Sequence, residues 1–148
     1  MQGFNYDLMI YDSRQMPIAF IELKNQENID ENLAVEFRKN IMLNNGYIRA
    51  PYFLLLSQKK GFLWKDINKN LEELPTTNFN MGEVIEKYMP DKENYWFKKS
   101  ELEMIVFKWL LELSYLREFP ENPAEEELAK IYFLQAIKGA SVQMGEIQ

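Results

Sequence analysis

The chain has no cysteine and no histidine among its 148 residues. The first absence excludes disulfides, thiolate metal sites and cysteine nucleophiles. The second excludes serine–histidine triads and histidine-ligated zinc, so any general base or metal ligand must be a carboxylate, a lysine, a tyrosine or a backbone group. Also missing is any apolar run near the length of a membrane span, and the N-terminus lacks the charged-then-apolar order of a signal peptide. A cytoplasmic protein with no membrane partner is expected. The net charge of −6 speaks against a general nucleic-acid binder, because affinity for a polyanion is largely electrostatic. That acid is unevenly spread: residues 1–65 carry eight basic and seven acidic side chains, and residues 66–148 carry nine and sixteen. The first half therefore keeps Arg38, Lys39, Arg49, Lys59, Lys60 and Lys65 without an excess of acid around them.

What is present is organised around the stretch from Asn5 to Lys24, which reads as two short strands joined by a polar turn. If Ser13 to Met16 form the loop, Asp12 faces Pro17, and counting back sets Asp7 opposite Glu22. Lys24 shares the face of Glu22, about 6–7 Å further along. Two carboxylates facing each other across an antiparallel pair repel, so a cation is expected to satisfy them. In this register Tyr6, Leu8 and Ile10 meet Leu23, Ile21 and Ala19 on one face. Asp7, Met9 and Tyr11 meet Glu22, Phe20 and Ile18 on the other. Both faces are mostly apolar, which predicts an α/β fold with a sheet covered on both sides.

Further along, Asn28 with Glu31 has the spacing of a capped helix start, Gly46 that of a C-terminal cap, and Ile29, Leu33, Phe37 and Ile41 recur every four residues between them. Residues 52–57 read as a buried strand, residues 58–61 as a turn and residues 62–65 as a return strand. A polar loop over residues 66–77 follows. Asn80 with Glu83 starts a short helix ending before Pro90, and Ser100 with Glu103 caps a long helix through about Phe119. The apolar set of that helix covers most of its circumference, so it is buried or packs on a partner, which makes residues 100–119 the candidate surface for a homodimer or a partner subunit. Its aromatics Phe107, Trp109 and Tyr115 read as core or interface rather than as a base-stacking platform. Asn122 before Pro123 starts a last helix to about Lys138, and the tail from Gly139 is expected to fray. The length suits a single domain over residues 1–148, with a sheet core carrying the hairpin in residues 1–65 and a mainly helical extension in residues 66–148.

The chemistry of Asp7, Glu22 and Lys24 points to a divalent metal and to hydrolysis of a nucleic-acid phosphodiester. Mg²⁺ prefers hard oxygen ligands and keeps several waters, so Asp7 and Glu22 suffice, with the Leu23 backbone carbonyl as a third donor; Mn²⁺ is the equivalent ion. Lys24 would orient or deprotonate the attacking water, or bind the phosphate as a point charge. Arg38 and Lys39 are candidates for phosphate contact, the alternative being a solvated helix face. Lys59 and Lys60 read most simply as a hairpin tip.

Asp7, then fourteen residues, then Glu22-Leu23-Lys24 resembles the signature of the PD-(D/E)XK nuclease superfamily. With Tyr6-Asp7-Leu8, Phe37-Arg38-Lys39-Asn40, Ala50-Pro51-Tyr52-Phe53-Leu54-Leu55 and Leu63-Trp64, the chain is similar over about residues 4–65 to bacterial proteins related to the N-terminal nuclease domains of type I restriction motor subunits. The resemblance implies a restriction-endonuclease-like mixed β-sheet flanked by helices, a Mg-dependent endodeoxyribonuclease with DNA as substrate, Asp7 and Glu22 as metal ligands and Lys24 as the catalytic lysine. Two departures stand out. Tyr6 replaces the family's usual proline, and Met1 lies only six residues before Asp7, where the family usually has a helix that often contributes a further acidic residue. The apolar C-terminal helix or a second copy of the chain is expected over that face. Two other classes remain open on the residues: a catalytically inactive nuclease-fold module that binds nucleic acid or a partner, and an oligomerisation domain.

Overall fold

The computed structural model describes residues 6–45, 50–65, 70–90 and 95–145. The expected strand, strand, helix, strand, strand order is present as β1 (Leu8–Tyr11), β2 (Pro17–Leu23), α1 (Glu31–Asn45), β3 (Tyr52–Leu56) and β4 (Lys60–Lys65). It continues as β5 (Thr77–Asn80), α2 (Gly82–Tyr88), α3 (Lys99–Tyr115), α4 (Pro123–Lys130), α5 (Phe133–Ala136) and β6 (Ser141–Met144). The strands form one mixed sheet in the order β5-β4-β3-β2-β1-β6, with β2 and β3 parallel and the other neighbours antiparallel. The chain is therefore α/β. Among the described residues, no helix is long and apolar enough to cross a membrane.

Both faces of the sheet are covered, because both carry apolar side chains that must leave water. Leu8, Ile10, Ile21, Leu23, Leu54 and Leu56 face one way and pack with Val84 of α2, Leu102, Val106 and Trp109 of α3, Leu128 of α4 and Phe133 of α5. Met9, Phe20, Phe53, Leu55, Phe62 and Trp64 face the other way, against Ala34, Val35, Ile41 and Met42 of α1. The four-residue repeat faces the sheet as read: Ile29, just before α1, and Ile41 are buried in that second core, and Leu33 and Phe37 pack on it. Of the aromatics in α3, Trp109 is buried, Phe107 packs on the core and Tyr115 is exposed.

The predicted register is found in the pairs Leu8 with Ile21, Met9 with Phe20 and Ile10 with Ala19. It shifts at the turn, where a bulge sets Tyr11 opposite Pro17. The cause is the turn chemistry of Asp12, whose carboxylate accepts the N–H groups of Arg14 at 2.8 Å and Met16 at 2.9 Å while Gln15 takes φ 65. Two side chains also lie on the face opposite to the expected one. Ile18 joins the core under α2–α5, and Tyr6 stands edge-on to Phe20 on the α1 side, at 5.7 Å between centroids.

Helix starts differ from the spacing predictions by one or two residues. Asp30, not Asn28, caps α1 by accepting the N–H of Leu33 at 2.8 Å; Asn28 sits at φ 59. Asn80 ends β5 instead of capping α2, and α3 begins at Lys99, with Glu101 accepting the Lys98 N–H at 2.9 Å. Asn122 does cap α4, its side-chain oxygen accepting the Glu125 N–H at 2.9 Å. The last helix does not run to Lys138: it breaks at Tyr132, φ 64, and resumes for one turn. Residues 141–144 of the tail do not fray, since β6 pairs with β1 from Leu8–Met144 to Tyr11–Ser141. Both edge strands thus come from the second half of the chain. Lys59 sits at the β3–β4 turn as read, while Lys60 already begins β4. The expected cap at Gly46, together with Asn5, Arg49 and Asp66, lies outside the described residues.

Candidate functional site

Asp7 lies just before β1, and Glu22 and Lys24 lie at the carboxyl end of β2, beside the end of the parallel strand β3. Open α/β sheets bind ligands at the carboxyl ends of their strands, where backbone ends and loops leave room for side chains. Three bonds fix this corner. Leu23 donates its N–H to Asp7 Oδ2 at 2.7 Å, Gly145 donates its N–H to the Asp7 carbonyl at 2.8 Å, and Lys24 donates its N–H to the Leu56 carbonyl at 2.9 Å. Gly145 is constrained to glycine here, because a Cβ would run into the carbonyl oxygen of Tyr6.

The structure ties Asp7 to the residue that follows Glu22, near enough for the Asp7 charge to act on the Glu22 carboxyl. Burial, then the Asp7 charge, raises the Glu22 carboxyl from an ordinary 4.5 to about 7, against the opposing pull of Lys24 and Lys99. Lys24 lies two residues on from Glu22 and so shares its side of the sheet; its ammonium sits 5.1 Å from the centre of the Phe37 ring of α1. Leu23 turns its N–H toward Asp7, and its carbonyl points to the same side of the strand.

The two candidate phosphate contacts separate. Arg38 is fully buried, its guanidinium 5.4 Å from the Trp64 ring and bonded at 3.2 Å to the Asn70 carbonyl, so it is neither a solvated face nor an outward-facing contact. The aromatic ring and the carbonyl stand in for the water it gives up. Lys39, its neighbour, reaches Glu72 at 2.6 Å on the exposed side.

One residue at the site was not singled out by sequence reasoning. Lys99, the first residue of α3, places its ammonium 3.2 Å from Asp7 Oδ1. Nothing local in the sequence marks it, since the contact is set by how residues 95–99 dock. Asn25 donates to the Phe97 carbonyl at 2.8 Å, and Gln58 accepts the Phe97 N–H at 2.8 Å and donates to the Tyr95 carbonyl at 2.5 Å. These two amides follow β2 and β3, so the strap crosses the end of the sheet beside the carboxylates.

The donor types suit a hard divalent ion that retains water: two neighbouring carboxylates, with a backbone carbonyl on the same side of β2. Among the described residues no group of three or more aspartate, glutamate, histidine or cysteine side chains is placed to hold a metal ion. Comparison with protein-family models, with curated proteins and with solved structures finds no match to this chain.

Proposed function

We propose that the protein is a Mg²⁺- or Mn²⁺-dependent nuclease that hydrolyses phosphodiester bonds of DNA, built on a restriction-endonuclease-like sheet. The observation that carries the reading is the Asp7 carboxylate bonded at 2.7 Å to the Leu23 N–H, which ties it to the strand that carries Glu22, where burial and the Asp7 charge raise the Glu22 carboxyl to about 7. Like charges held together in a half-buried corner are costly unless a cation or a proton offsets them. The β1–β2 hairpin, followed by α1 and by β3 parallel to β2, supports the fold side of the proposal.

In this reading Asp7 and Glu22 hold the ion, with the Leu23 carbonyl beside them. The bound ion supplies an acidified water and stabilises charge on the scissile phosphate. Lys24 holds a fixed positive charge next to Glu22, seated over Phe37, and binds the phosphate as a point charge. Buried Arg38 takes no part, and Lys39 must leave Glu72 to reach DNA. An inactive module is favoured by one observation, the Lys99 ammonium that stands on Asp7.

The test is nicking of supercoiled plasmid by the full chain with Mg²⁺ or Mn²⁺, against EDTA. Asp7→Asn and Glu22→Gln are each expected to lose about 100-fold or more, and Lys24→Ala a similar factor while Mn²⁺ still binds. Wild-type protein that fails to nick in Mn²⁺, or Asp7→Asn that nicks as well as wild type, would overturn the proposal.

A further inference from the structure

Asp7 has two oxygens and both are engaged. Oδ2 accepts the Leu23 N–H at 2.7 Å, which ties the carboxylate to the strand that carries Glu22. Oδ1 faces the Lys99 ammonium at 3.2 Å. The first partner is backbone of the sheet and cannot move without breaking it. The second is different in kind. Its backbone is held firmly, because Phe97 is buried and residues 95–98 are strapped down by Asn25, Gln58 and Glu101. Its ammonium, by contrast, ends a flexible four-carbon stem, and the side chain is 48% exposed against 14% for Asp7.

Such a pair contributes little when made and costs little to break, since water replaces the lysine's half of it. A divalent ion at the same oxygen brings twice the charge and a second ligand, Glu22. The ammonium and the ion cannot both sit on Asp7 Oδ1, because like charges at ligand distance repel. Lys24 does not compete in the same way, since its ammonium lies over the Phe37 ring on the α1 side.

From this, and resting on the metal-site reading above, we infer that Lys99 is a resident placeholder cation: it occupies Asp7 Oδ1 in the ion-free protein and yields that oxygen to the divalent ion. Lys99 is then a positioning residue that sets the ion concentration at which the site fills. The apparent affinity for the ion is reduced by the fraction of molecules in which the lysine stands on Asp7. A pair formed in about nine molecules of ten weakens binding about tenfold.

The experiment is a Mn²⁺ titration of the full chain without DNA, followed by electron paramagnetic resonance of the free ion. Wild type, Lys99→Met, Lys99→Arg and Asp7→Asn are compared. Lys99→Met is expected to bind Mn²⁺ about tenfold more tightly, Lys99→Arg to stay within about threefold of wild type, and Asp7→Asn to lose the site. A Lys99→Met protein that binds with wild-type or weaker affinity, where wild type binds through Asp7, overturns this inference and leaves the metal site standing. Failure of both wild type and Lys99→Met to bind millimolar Mn²⁺ overturns the metal site and the inference together. Lys99→Gln, which keeps a polar head on a half-exposed stem, repeats the measurement if the methionine variant folds poorly.

Discussion

Two clusters of charge among the described residues handle a carboxylate withdrawn from water in opposite ways. In the first turn of α4, against the end of α3, Glu125 is fully buried, yet both of its oxygens are used. Oε1 accepts from Arg117 Nε at 2.6 Å and from the Glu121 N–H at 3.0 Å. Oε2 accepts from Arg117 Nη2, Trp109 Nε1 and Asn122 Nδ2, each at 3.0 Å. Burial pushes the Glu125 carboxyl up, but the bonds from Arg117, Trp109 and Glu121 outweigh it and hold the group below its ordinary value. At the end of β2 the same push on Glu22 is joined by the Asp7 charge and only partly opposed by Lys24 and Lys99, and the carboxyl rises to about 7. Burial alone therefore does not mark a working site. What marks it is a carboxylate whose surroundings stop short of satisfying it, so that a ligand can complete them.

The comparison breaks most visibly if the satisfied cluster proves dispensable. Arg117→Met would leave Glu125 charged, buried and without its main partner, and is expected to cost about 3–5 kcal/mol of unfolding free energy in urea. The Mn²⁺ binding proposed for Asp7 and Glu22 should be unchanged where the variant remains folded. A loss below about 1 kcal/mol would mean that the cluster is no more than a surface pair, and the contrast would fail.

A smaller effect of opposite sign is expected at the other cluster. Glu22 has an ordinary value of 4.5 when unfolded and about 7 when folded. A group raised on folding contributes stability that is fully present below its unfolded value and is lost as pH rises through its folded value. Glu22→Gln, which cannot ionise, should therefore match wild type near pH 4 and exceed it by about 1–2 kcal/mol near pH 8 in the absence of divalent ion. Glu125 is lowered on folding, so its contribution is present at neutral pH and falls away in acid. Urea midpoints of both glutamine variants at the two pH values separate the signs. A Glu22→Gln protein less stable than wild type at pH 8 would show that the carboxylate is satisfied after all.

The unsatisfied cluster was the more legible of the two. Asp7 and Glu22 could be paired on paper because alternating residues around a short turn leave few registers, and Leu8 does face Ile21. The bulge at Tyr11 escaped that count because it depends on which N–H groups the Asp12 side chain captures. Both edge strands were missed for a shared reason. Neither Thr77–Asn80 nor Ser141–Met144 carries a pattern of its own, and each is drawn out by the open edge of its neighbour. For β5 the fit is visible at Gly61, where any Cβ would strike the ring of Phe79. Lys99 and Arg38 were illegible for the same kind of reason: a charged residue on a helix reads as solvated until its tertiary partners, Asp7 in one case and Trp64 in the other, are known.

The sharpest form of the comparison holds distance constant. Lys39 meets Glu72 at 2.6 Å, and Arg117 meets Glu125 at 2.6 Å. The side chains of the first pair are 33% and 63% exposed, those of the second 5% and 0%. If separation governed the strength of an ion pair, removing either cation would cost the same. Water decides otherwise: it rehydrates Glu72 as soon as Lys39 leaves, whereas Glu125 has no water to turn to. Lys39→Ala is therefore expected to leave the urea midpoint unresolved from wild type, under conditions in which Arg117→Met moves it far. The lysine variant should also leave Mn²⁺ binding unchanged, since Lys39 touches neither Asp7 nor Glu22. A Lys39→Ala midpoint shift as large as that of Arg117→Met would mean that proximity, rather than the want of water and donors, sets the strength of ion pairs in this fold. The poised state assigned to Glu22 would then lose its physical basis.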